Sequence, residues 1–142
     1  MNNKLWRLSH GLYVHHMNHV GRVTELIYNI ICGNSISTRA KIGGGTIFYH
    51  HGVGCVVHEL CSIGEDCKIF GNVTIGCKWS GGDEPGLPPA IGNHVLIGAG
   101  AVILGNIHVG DNAIIGANAV VLREVPDGCI AVGNPARIIS GK

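Results

Sequence analysis

The stretch Ile91-Gly-Asn-His-Val-Leu-Ile97-Gly-Ala-Gly-Ala-Val-Ile103-Leu-Gly-Asn-Ile-His-Val109-Gly-Asp-Asn-Ala-Ile-Ile115 places an aliphatic residue at every sixth position. Val121 continues the series. A period of six matches neither a helix, at 3.6, nor a lone half-buried strand, at 2.0. It matches short strands joined by tight turns, three to a coil, with glycine and asparagine supplying turn conformations that a side chain hinders. Coils of about 18 residues stacked in this way form a parallel β-helix of triangular section.

Upstream, the same period appears as Ile36, Ile42, Phe48 and again as Cys55, Cys61, Cys67, Val73. Phe48 and Cys55 are seven apart, which reads as one inserted residue in Phe48-Tyr-His-His-Gly-Val-Gly-Cys55. The insertion carries His50 and His51. From Ile36 to Val121 there is room for about five coils. The expected fold is an all-β solenoid. A glycine-rich sandwich would instead alternate every two residues.

The composition agrees. The 142 residues suit one domain, with 23 glycines, 5% aromatic residues and 46% hydrophobic residues overall. Such a chain fills a narrow core. With 13% charged residues and a net charge of +1, it is too balanced to hold nucleic acid or an acidic membrane by charge. No run is long enough to span a bilayer and no signal peptide is read, so a cytoplasmic location is expected. The evenly spaced cysteines read as small buried thiols, not disulfides.

Two segments break the period. Residues 1–34 read as a short helical segment, with Leu5, Leu8 and Leu12 on one stripe and Val23, Leu26, Ile27, Ile30 and Ile31 on another. Gly33 and Asn34 end it. This segment is expected to cover the first coil or to pack on a neighbouring subunit. Residues 35–139 form the β-helix, with a projecting loop at about 77–90. Val73 and Ile91 are 18 apart, which reads as an unbroken phase, yet Trp79 and Pro85 would then fall inward, where neither fits.

Ala40-Lys-Ile-Gly43, His51-Gly-Val-Gly-Cys-Val-Val57 with Glu59, Val73-Thr-Ile-Gly76, Ser80-Gly-Gly-Asp83, Ile97-Gly-Ala-Gly-Ala-Val-Ile-Leu-Gly-Asn106 and Gly133-Asn-Pro-Ala-Arg137 occur in this order. In this the chain resembles the hexapeptide-repeat acyltransferases, left-handed β-helices, and among them the serine acetyltransferase branch. The resemblance covers about 100 of the 142 residues. It implies a homotrimer with active sites between adjacent prisms, acetyl-CoA as co-substrate, and an acceptor hydroxyl. It also implies a histidine base ahead of a glycine turn. His51 takes that place when the register is read back from Cys55, and His50 when it is read forward from Phe48; the downstream context favours His51. For the CoA arm the resemblance points to Gly76, Gly98, Ala99 and Ala117, and for its phosphates to Arg137 or Lys142.

Three departures stand out. Where the family orients its base with an aspartate, this chain has Ser35, leaving a backbone carbonyl, Glu59 or a residue of another subunit to substitute. Asp83 is followed by Glu84, where serine-specific members have an arginine for the amino acid's carboxylate. The acidic residue that precedes the family's base is here His50. With both zwitterion anchors changed, the expected acceptor is a sugar or polysaccharide precursor held near Asp83, Glu84 and His58, with L-serine as the alternative. The chemistry needs no metal. A zinc lyase with three histidine ligands across an interface is the rival enzyme, but the matching His spacing between coils is missing. An inactive scaffold is the third reading. His15, His16, His19, His94 and His108 read as surface or interface residues.

Overall fold

The computed structural model describes residues 4–15, 18–79, 81 and 86–140. Helices α1 (Lys4–Val14) and α2 (Asn18–Cys32) precede a run of short strands. The first sheet stacks β1 (Ser35–Ile36), β4 (Val56–Val57), β7 (Thr74–Gly76), β10 (Val102–Leu104) and β13 (Val120–Val121). The second stacks β2 (Lys41–Ile42), β5 (Ser62–Ile63), β8 (Ala90–Ile91) and β11 (His108–Val109). The third stacks β3 (Ile47–Phe48), β6 (Lys68–Ile69), β9 (Leu96–Ile97), β12 (Ile114–Ile115), β14 (Ile130–Val132) and β15 (Arg137–Ile139). Neighbours pair in parallel except β14 with β15, which closes the far end antiparallel. The three sheets are the faces of a triangular prism.

Each coil sends two residues inward per face. One is the aliphatic residue of the strand, as in the column Ile36, Val57, Ile75, Ile103 and Val121, none more than 2% exposed. The other lies two residues earlier and is small, as in Cys55, Val73, Ala101 and Ala119, all fully buried. Burying one such aliphatic side chain contributes about 1.5–3 kcal/mol. The small column leaves room for it at the narrow axis.

This double column corrects two spacings. The cysteine series belongs to the small column, so counting from Phe48 to Cys55 mixed the two. Phe48 and its successor Val57 are nine residues apart, so the insertion that carries the histidines is three residues. Likewise Ile75 and Ile91 are sixteen apart, so the connection 77–89 adds ten residues and does not keep the phase. Trp79 is 63% exposed, and Pro85 lies outside the described residues.

The helices cover the first coil, but not with the expected stripes. Trp6, 4% exposed, points its indole Nε1 at Ser37 O, 3.3 Å away, and stacks on His10, whose Nδ1 lies 2.6 Å from Thr38 O. Thr38 donates to Glu25 of α2. Tyr28, 5% exposed, is the other large buried contribution. Leu8 is 56% exposed, and Val23, Leu26, Ile27, Ile30 and Ile31 also face outward. Gly33 ends α2 at φ +60°, and Asn34 N–H donates to Asn29 O across 3.1 Å, closing the last turn. Among the described residues no helix is long and apolar enough to cross a membrane.

Candidate active site at a strained histidine bend

The insertion falls in a four-residue bend, Tyr49–Gly52, at the corner where the chain passes from the third sheet to the first. His50 (φ 52°, ψ 39°) and His51 (φ 60°, ψ 15°) are both left-handed, and Gly52 and Gly54 follow at φ +68° and +67°. For a residue with a side chain this costs about 1–2 kcal/mol each, so neighbours must impose it. Several do. Asn34 Nδ2 donates to His51 O at 2.9 Å, and Tyr28 OH lies 3.5 Å from the same oxygen. Gly54 N–H donates to Gly33 O at 2.7 Å. Gly52 is buried against Ile36, and a Cβ on Gly54 would fall 2.0 Å from Asn72 Oδ1. Tyr49 stacks on Phe70 of the next coil at 4.8 Å.

Both histidines are exposed, and with Ile31, Cys32 and Val53 they line a pocket of about 300 Å³. Neither imidazole takes a hydrogen bond among the described residues, so both ring nitrogens are open to a ligand. Burial pushes the Cys32 thiol above its ordinary value, which keeps it protonated beside them. An apolar-walled pocket with an imidazole at its mouth suits proton abstraction from an alcohol.

The other expected residues divide by corner. Gly98, Ala99 and Ala117 follow β9 and β12 and share the histidines' corner, two and three coils further on. Ala99 and Ala117 are exposed and linked by Asn118 N–H donating to Ala99 O at 2.9 Å. A Cβ on Gly98 would meet Ala117 N at 2.5 Å, so coil stacking alone demands this glycine. Gly76, His58 and Glu59 lie at the corner from the first sheet to the second, which also carries the connection 77–89. There Glu59 Oε2 is paired with Arg39 Nη1 at 2.7 Å, and His58 Nδ1 accepts from Leu60 N–H. Within one protomer neither Glu59 nor His58 is brought to His51. Asp83, Glu84, Ser80, His16 and Lys142 lie outside the described residues. Arg137 is exposed and lines a 500 Å³ cleft with Arg123, which sequence reasoning missed; Arg123 Nη2 donates to Ala136 O at 3.2 Å. Asn34 and Tyr28 were missed as well, because their role depends on how α2 meets the first coil. Among the described residues no three His, Cys, Asp or Glu side chains converge on a metal site.

Comparison with known proteins adds an independent line. Residues 88–123 match the family model described as bacterial transferase hexapeptide (six repeats). The chain is 42% identical over 135 residues to the serine acetyltransferase of Helicobacter pylori, covering 95% of this chain and 77% of that one. It superposes on a soybean serine acetyltransferase complexed with serine with a TM-score of 0.84 and 40% identity, covering 95% of this chain and 54% of that one. A serine acetyltransferase in complex with CoA gives a TM-score of 0.83 at 38% identity, over 95% and 54%. The chain therefore spans about half the length of these solved structures. Their likeness fixes the prism as a left-handed β-helix.

Proposed function

This chain belongs to the serine acetyltransferase family, and from that premise we propose that it transfers the acetyl group of acetyl-CoA to the hydroxyl of L-serine, with His51 as general base. The match to the Helicobacter pylori enzyme over most of both chains carries the reading. The sugar acceptor expected from Glu84 and His50 gives way to it. Those departures concern two side chains, one of them outside the described residues, whereas the likeness to proteins named for serine runs along nearly the whole chain.

In the proposed reaction, neutral His51 takes the hydroxyl proton as the serine oxygen attacks the thioester carbon. The C–O bond forms, and the carbonyl oxygen carries the negative charge of the tetrahedral intermediate, which a backbone N–H stabilises. The C–S bond then breaks, and the imidazolium returns the proton to the CoA sulfur. O-acetylserine and free CoA leave. The CoA arm runs along Gly98, Ala99 and Ala117, on the histidines' own corner, and Gly76 approaches it from a neighbouring subunit. Arg137 meets its phosphates. The assembly is a homotrimer with one acceptor site between each pair of prisms, so that Asp83, Glu84, His58 and Glu59 reach the site from a second copy.

The test is release of free CoA thiol from acetyl-CoA by purified protein, with L-serine set against a panel of sugars and nucleotide sugars. Turnover with L-serine is expected. Turnover with a sugar alone restores the reading based on Glu84, and no turnover with either removes the proposal.

A further inference from the structure

The left-handed pair His50–His51 has an unusual anchor. Its clamps come from the exit of α2 and not from the β-helix itself. Asn34 side-chain amide donates to His51 O at 2.9 Å, with Tyr28 OH on the same oxygen at 3.5 Å. This amide is free of helix capping, because the bond that closes α2 is made by the backbone N–H of Asn34. Its orientation is also informative. Asn34 Oδ1 is buried without a partner, a costly arrangement. The flipped amide would face two acceptor oxygens against each other, so the bond to His51 decides the orientation. Tyr28 is 5% exposed, and burial raises its hydroxyl above the ordinary phenol range.

Resting on the proposed acetyl transfer, we infer that Asn34 and Tyr28 are positioning residues that aim the base: by holding the carbonyl of His51 they fix the peptide after it, and with it the direction of the imidazole. They act on the backbone, where the ring-orienting carboxylate of the family pattern is missing at Ser35. The helical segment is then part of the catalytic apparatus as well as a cover.

Three variants test this. Asn34→Asp keeps the shape and removes the donor, Asn34→Ala removes both, and Tyr28→Phe removes only the longer contact. Each is compared with the unaltered protein by steady-state kinetics and by the imidazole ¹⁵N resonances of histidine-labelled protein, assigned with His50→Gln and His51→Gln. Both Asn34 variants are expected to lower kcat about tenfold while KM for acetyl-CoA stays within about twofold, and Tyr28→Phe to lower kcat about two- to threefold. The resonances of the pair should move in step. Unchanged kcat and unchanged resonances overturn the inference. If Asn34→Ala does not fold, Asn34→Asp and Tyr28→Phe decide. If the unaltered protein turns over no L-serine, the functional reading has failed, and the resonances alone decide the clamp: shifted in the Asn34 variants they support it, unmoved they overturn it.

Discussion

Two adjacent non-glycine residues in the left-handed region are an expense that a solenoid corner does not require. At the equivalent corners one coil and two coils on, a single left-handed Asn72 or Gly100 suffices. The extra turn pushes two imidazoles out of the repeat, so the strain is spent on presenting side chains. His51→Ala is accordingly expected to lower acetyl transfer about 10²–10⁴-fold, the range for a lost general base, without unfolding the chain. His50→Gly separates presentation from strain. It relieves about 1–2 kcal/mol of steric cost and returns about 0.5–1 kcal/mol of backbone entropy. Stability should hold or rise by up to about 1.5 kcal/mol, read from urea unfolding, and activity should persist. Activity lost in His50→Gly but kept in His51→Ala would exchange their roles.

The strands show why so much of the architecture, and less of the site, was legible beforehand. One aliphatic residue every six positions follows directly from a triangular coil, and Ile97, Ile103, Val109 and Ile115 occupy the positions their spacing assigns. Linear spacing shows the insertion at the bend but not its full length, because Cys55 and Phe48 sit in different inward columns and nothing in a linear spacing distinguishes them. The helix stripes raise a different point. An apolar stripe names a face to be covered, not the partner that covers it, and in the protomer Trp6 and Tyr28 do the covering. The histidine pair was visible as a break in phase; Asn34 and Tyr28 were not, since their contact bridges 17 and 23 residues of sequence. The small column also predicts a pH response. Cys61 is buried, and burial pushes its thiol up to about 12; Cys55 and Cys67 shift the same way. In the unfolded chain these thiols ionise near the ordinary value of 9.0. Above that pH the unfolded chain binds fewer protons than the folded one, so stability falls as pH rises from about 9 to about 12. Cys61→Ala should flatten that fall in urea midpoints measured across the window, although it leaves a small cavity. An unchanged slope would mean that the thiol does not titrate with unfolding.

In a solenoid each coil contacts only its neighbours, so stability is nearly a sum of coil and interface contributions, and the ends open first. The histidine bend sits in the coil at one end, under α1 and α2, and its clamps belong to the cover. On the proposed reading, catalysis and the integrity of this cap are one property. Trp6 is the largest buried side chain of α1, and its loss typically costs about 3–5 kcal/mol when a cavity remains. In Trp6→Ala that loss falls on the cap and the first coil, while the stack from β7 to β14 keeps its own contacts. The expected outcome is a variant with near-normal strand signal in circular dichroism and little acetyl transfer. Amide exchange should be fast at Ser35, Ile47 and Val56 but slow at Val102 and Ile114. In the unaltered protein, activity should likewise vanish at lower urea than strand content. Coincident loss of the two would show that the prism unfolds as one cooperative unit, with the cap no weaker than the coils beneath it.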